Sequence, residues 1–143
     1  MLWVGGRGDE GDRVLADRGC VPVFVTVRQA RVYARRRGWG AVAGGDGVLE
    51  LGRVQRWLAD PGRRRMPSGA VLEAWNFFED LGRGLGEGHP LPRQGAVHGR
   101  AYERLFEGEG AVWAAGEERA VRELLAAGVQ LWESCPVSLN PPS

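Results

Sequence analysis

Between Val71 and Leu81 the chain reads Val-Leu-Glu-Ala-Trp-Asn-Phe-Phe-Glu-Asp-Leu. Wound as a helix, this stretch places Val71, Leu72, Ala74, Trp75, Phe77, Phe78 and Leu81 round most of the circumference. A helix that is apolar nearly all round has to be covered by other elements, so the remaining chain must be built against it. The pattern predicts a helix over about Gly69 to Arg83, capped by Ser68, with Glu73, Asn76, Asp80 and Arg83 as its narrow polar stripe. With 143 residues, one domain can bury roughly two-thirds of the surface its unfolded chain exposes. A single domain over residues 1–143 is therefore expected, with residues 136–143 as a C-terminal tail.

Other segments follow from local signals. Leu2-Trp3-Val4 and Val21 to Val27 read as strands, with Pro22 tolerated at the start of the second. Asp9 to Arg18 reads as a short polar helix. Thr26 stands three residues before Gln29 as a capping box, and Gly38 stands as a C-terminal stop, predicting a helix over Val27 to Arg37. Its apolar side is Val27, Ala30, Tyr33 and Ala34. Trp39 to Gly47 is glycine-rich loop, and a short strand is expected near Val48 to Leu51. The stripe Leu51, Val54, Trp57, Leu58 predicts a helix that Asp60-Pro61-Gly62 ends. Gly82 to Gly99 is dense in glycine and proline and reads as the longest loop. Arg100 to Glu107 is helical, with Ala101, Tyr102, Leu105 and Phe106 inward. A last helix spans Glu117 to Ala127, stopped by Gly128, and a strand follows at Val129 to Trp132. The expected fold is α+β or α/β, a small sheet of three to four short strands packed with four to five helices.

Composition limits how motifs are read. The 19 basic residues are all arginine, isoleucine is absent, and there are 23 glycines, the signature of a bacterial GC-rich genome. Arginine has replaced lysine throughout, so an arginine run is weaker evidence of phosphate binding than usual. No apolar run reaches the ~20 residues that span a bilayer, and no basic-then-apolar leader follows Met1, so the expected setting is cytoplasmic without membrane contact.

Gly6-Arg7-Gly8-Asp9-Glu10-Gly11 spells G-x-G-x-x-G between a strand and the expected helix. With Arg28 placed for a 2′-phosphate, Gly6, Gly8 and Gly11 form a weak alternative NADP site, serving a nucleotide-binding protein or an enzyme. Asp9, Glu10 and Asp12 argue against it, because they set three carboxylates where a dianion would lie. Catalytic groupings are poor. His89 and His98 lack an acidic or second histidine neighbour at useful spacing, none of the four serines sits in a G-x-S-x-G, and Glu73 with Asp80 reads as a solvated or arginine-paired stripe. Cys20 and Cys135 read as free thiols. No metal and no cofactor is expected, and catalysis is not.

Charge distribution carries more. Residues 1–27 hold three arginines and four acids, residues 28–65 ten and three, and residues 66–143 six and eleven, giving −1, +7 and −5. Arg28, Arg31 and Arg35 repeat on one helical face with Arg36 beside them, and Arg63, Arg64 and Arg65 follow as a run. Internal carboxylates such as Glu73, Asp80, Glu103 or Glu107 are one answer to them, and an external anion is the other. The function expected is a non-catalytic, macromolecule-binding module of the immunity, antitoxin, adaptor or regulatory type. Its partner is an acidic protein surface, met by Arg28, Arg31, Arg35, Arg36, Arg63, Arg64 and Arg65 with Trp39 as anchor. Nucleic acid is the further alternative.

Overall fold

The structure, a computed structural model, describes residues 1–40, 48–86 and 91–142. His89 and most of the expected loop after Trp39 lie outside the described residues. Among those described, the order is β1 (Trp3–Val4), β2 (Arg13–Val14), β3 (Val21–Val23), α1 (Val27–Arg36), α2 (Leu51–Ala59), α3 (Ser68–Leu85), α4 (Ala96–Phe106), a 3₁₀ turn (Gly108–Gly110), α5 (Ala115–Ser134) and β4 (Val137–Leu139). The fold is α+β, as the sequence predicts, with five helices and four short strands in two two-stranded sheets.

The chain divides into two compact units, one of Met1–Gly47, Glu79–His89 and Glu133–Ser143, the other of Val48–Phe78 and Pro90–Trp132. In the first, β1 pairs antiparallel with β2, Trp3 opposite Val14 and Val4 opposite Arg13. This overturns the helix expected over Asp9 to Arg18. Asp12 explains the outcome: its Oδ1 accepts the Gly6 N–H at 3.1 Å, and its carbonyl accepts from Arg83 Nε at 2.6 Å, which fastens the loop as the connection of a hairpin. β3 pairs in parallel with β4, Val21 opposite Val137 and Val23 opposite Leu139. Residues 137–139, expected in a tail, are thus a strand. A cluster of Leu2, Ala30, Tyr33 and Ala34 is buried in this unit, with Leu15, Phe24 and Trp39 packed against it.

The second unit buries Val54 and Trp57 of α2, Val71, Ala74, Trp75 and Phe78 of α3, Ala101 and Leu105 of α4, and Val121, Leu124 and Leu125 of α5. α3 is the covered helix that its apolar circumference demands. Ser68 does not cap it, since its Oγ is buried without a hydrogen-bond partner and α3 already includes it. Gly128 is not a stop either. α5 runs through it to Ser134, and a Cβ at this position would stand 2.1 Å from Phe78 Cδ2, so the glycine is there to let α5 approach a buried ring. Gly84 works likewise in the first unit, where a Cβ would stand 1.9 Å from the Val14 carbonyl oxygen. The helix therefore continues through a segment that glycine content alone reads as loop, and α4 begins at Ala96 rather than Arg100. No strand forms at residues 48–51, nor at 129–132, which are helical. Phe106, expected inward, is 66% exposed.

Candidate functional site

α1 carries the arginine row, and its local construction is the most complete in the chain. Thr26 Oγ1 accepts the Gln29 N–H at 3.2 Å, and Gln29 Oε1 accepts the Thr26 N–H at 3.0 Å, which is the reciprocal capping box read from sequence. Gly38 closes the other end with a φ of +67°, a backbone region that favours glycine. The buried face of α1 is Ala30, Tyr33 and Ala34. Tyr33 donates its hydroxyl proton to Asp17 Oδ2, the same oxygen that Arg37 Nη2 approaches at 2.8 Å, and the Arg37 guanidinium stands 5.1 Å from the Tyr33 ring centre. Burial, and then the bond to Asp17, push the Tyr33 phenol above its ordinary value near 10. This triple contact fixes the rotation of α1 and so decides which of its arginines point away from the core.

Those are Arg28, Arg31 and Arg35. All three are exposed, and none has a hydrogen bond or ion pair among the described residues. The internal carboxylates expected to answer them are engaged elsewhere or stand apart. Asp80 meets Arg83 Nη2 at 2.7 Å, Glu107 meets Arg104 Nη1 at 2.9 Å, and Glu73 and Glu103 are exposed without an ion pair to the row. Arg36 is exposed too, and makes an interaction of its own. Two features make the row costly to the isolated helix. Arg28 and Arg31, and Arg31 and Arg35, are like charges at neighbouring positions. Arg28 also lies in a first turn that holds no acid, at the positive end of the helix dipole.

The other expected residues fall differently. Trp39 is half-buried, its ring edge-on to Tyr33 at 5.7 Å, so it covers the core instead of projecting beside the arginines. Arg63, Arg64 and Arg65 belong to the second unit, in the turn after α2 where the Asp60 carbonyl accepts the N–H groups of Arg63 and Arg64. Arg65 forms an exposed ion pair with Glu109 at 3.6 Å. The Gly6 to Gly11 turn leads into β2 and offers no helix N-terminus, and its Gly6 N–H is already taken by Asp12. The phosphate cradle required for NADP therefore has neither of its donors in the needed form.

Sequence reasoning missed the apolar residues at the entrance to α1. Val27, placed inward by periodicity, is 59% exposed, and Val25 is 72% exposed. The Val25 N–H donates to Asn140 Oδ1 at 3.2 Å, next in chain to Leu139, itself 67% exposed. The signal was the pair of valines flanking the cap residue Thr26, where an amphipathic helix needs none.

Among the described residues, no three His, Cys, Asp or Glu side chains are grouped so as to hold a metal ion, and no helix is long and apolar enough to cross a membrane. Comparison with protein families, curated proteins and solved structures finds no significant match to this chain.

Proposed function

We propose that this protein is a non-catalytic binding module of the immunity, antitoxin, adaptor or regulatory type, and that it recognises an acidic protein surface through Arg28, Arg31 and Arg35 of α1. The observation that carries this reading is that the three guanidinium groups are exposed and, among the described residues, without a hydrogen-bond or ion-pair partner, on a helix whose orientation is fixed by its opposite face. Val25 and Val27 favour a protein over a nucleic acid. Protein interfaces combine an apolar centre with arginine anchors, whereas a phosphate backbone has no use for exposed valines beside its cations. Arg36 extends the row. Arg63, Arg64 and Arg65 form a separate basic turn in the second unit and are not needed by it.

The test is a binding titration with two labelled probes, an amphipathic peptide alternating Glu and Leu, and a 20-base-pair DNA duplex. The peptide should bind, and the Arg31→Glu/Arg35→Glu double variant should weaken it about tenfold, the equivalent of about 1.4 kcal/mol, with an unchanged far-ultraviolet spectrum. The Arg31→Ala/Arg35→Ala variant should fall between. The proposal is overturned if charge reversal leaves peptide affinity unchanged, or if the duplex binds more tightly with an affinity that collapses as salt is added.

A further inference from the structure

The two outer edges of the β3–β4 pair differ in kind. In its parallel register, the Val21 N–H donates to the Pro136 carbonyl and the Asn140 N–H donates to the Val23 carbonyl, both at 2.8 Å. Main-chain groups alternate sides along a strand, so Ser138 faces β3, while the N–H and carbonyl of Val137 and of Leu139 point away from it. Among the described residues these four groups have no hydrogen-bond partner. On the outward side of β3 stands Pro22, which has no N–H to offer and blunts that edge. The β4 edge lacks such a guard. Charged side chains ordinarily protect an edge, as Arg13 does in β2, yet no charged side chain occurs in residues 19–27 or 134–143. Val137 and Leu139 are 45% and 67% exposed. A parallel pair of three residues is also incomplete as a sheet, because parallel ladders are the weaker kind and stable sheets need three strands or a covering element.

Three properties of this edge select its occupant. It is short, since Pro136 and Pro141 have no N–H and Asn140 turns the chain with a φ of +44°. It is uncharged, which gives an acidic segment or a polyanion nothing to pair with. It is also self-complementary. A two-fold axis at Ser138 sets a second β4 antiparallel to the first, with Val137 opposite the second copy's Leu139 and Leu139 opposite the second copy's Val137. Each of these pairs exchanges two main-chain hydrogen bonds, so four bonds form and all the outward groups of both strands are satisfied. Paired residues share a face of a sheet, so the exposed valines and leucines meet on the side where Val21 is buried. We propose that the chain forms a two-fold symmetric dimer through the edge of β4, joining two parallel pairs into one four-stranded sheet in the order β3-β4-β4-β3. The dimer leaves the arginine row of α1 out of the contact, and this inference does not depend on what that row binds.

Sedimentation equilibrium of the full-length chain in reducing buffer, from about 1 μM to about 1 mM, tests the dimer. The mass should rise from the 15.6 kDa of one chain toward twice that value, with a dissociation constant on the order of 10–100 μM, as a small interface gives. Val137→Glu/Leu139→Glu sets carboxylates opposite one another on both sides of the axis. It should weaken dimerisation at least about tenfold with an unchanged far-ultraviolet spectrum, because both side chains are exposed. Arg31→Glu/Arg35→Glu should dimerise as the wild type does, so failure of the dimer and failure of the acidic-partner reading are separate results. A second measurement uses a Cys20→Ser/Cys135→Ser background. There Ser138→Cys sets one thiol from each copy across the axis, at a pair that is not hydrogen-bonded and whose Cα atoms stand about 4.5 Å apart, within the reach of a disulfide. On air oxidation it should form a linked dimer at least about tenfold faster than Val112→Cys, an exposed control in the second unit. The proposal is overturned if the chain keeps the mass of a monomer at about 1 mM, if the glutamate pair leaves dimerisation unchanged, if the arginine reversal abolishes it, or if Ser138→Cys links no faster than Val112→Cys.

Discussion

Replacing Arg31 with glutamate should make the fold more stable while it weakens binding. Arg31 lies between Arg28 and Arg35 on the exposed face of α1, and no carboxylate among the described residues pairs with it. Each like-charge neighbour on a helix costs about 0.2–0.5 kcal/mol, and an opposite charge returns a similar amount. Reversing Arg31 changes two such pairs, Arg28/Arg31 and Arg31/Arg35, for a combined gain of about 1 kcal/mol after allowance for solvent screening. Glutamate and arginine have nearly equal helix propensity, so the backbone contributes little. In a chain of 143 residues, that gain corresponds to roughly 3 °C in the melting temperature. The assay is urea unfolding followed by tryptophan fluorescence at low and at high salt, and the gain should shrink toward zero at about 1 M salt, where screening acts within about 3 Å. A loss of stability in Arg31→Glu would refute the reasoning, because it would mean that the guanidinium braces the fold and is not surface held for a partner.

Three further substitutions test the elements that aim the row. Thr26→Ala removes the hydroxyl half of the capping box and should cost about 1 kcal/mol, read as a lower urea midpoint. Gly128→Ala gains about 1 kcal/mol of helix propensity but drives a methyl into the fully buried Phe78 ring, so it should lower stability by about 1–2 kcal/mol net, and a higher melting temperature would show that the ring moves aside. Tyr33→Phe leaves Asp17 without its buried donor and should cost about 1–2 kcal/mol at pH 7. Because folding raises the Tyr33 pKa, the folded state keeps its proton where the unfolded chain ionises, so the wild-type advantage is complete below pH 10 and is lost as the pH rises beyond it. Urea midpoints of the two proteins should therefore stay apart up to pH 10 and converge only above it.

What could be read from the sequence was whatever neighbouring residues decide. Thr26, Gln29 and Gly38 fix both ends of α1 within the helix itself, Asp60-Pro61 ends α2, and the apolar circumference of α3 announces its burial. The misreadings share a different cause. The hairpin replaces a helix over residues 9–18 because Arg83, 71 positions later, holds the Asp12 carbonyl. β4 is a strand because β3 receives it, and nothing between Pro136 and Asn140 signals that partner. Gly84 and Gly128 look like breakers in a local reading and prove to be points of close approach, to the Val14 carbonyl and to Phe78. The arginine row itself was legible as a spacing, whereas its lack of carboxylate partners among the described residues and the exposure of Val25 and Val27 needed three dimensions.

Folding also alters the argument from charge. Along the sequence the middle third is strongly basic, yet the two units gather residues from distant segments: the first holds nine arginines and nine acids, the second ten and nine. Their net charges are zero and +1, so no large field extends from either, and long-range steering of a partner is weak. What survives is local. Arg37, Arg83 and Arg104 each meet a carboxylate within 4 Å, whereas Arg28, Arg31 and Arg35 meet none among the described residues. Recognition through three cations in a nearly neutral surrounding has to draw most of its affinity from short-range contacts, including those of the exposed valines. The dissociation rate should then respond to mutation more than the association rate does. The same small number of cations caps the salt dependence, because a duplex that released counterions from only three phosphates would show a log–log slope no steeper than about −3. A measured slope much steeper than that would require arginines beyond this row and would favour nucleic acid as the partner.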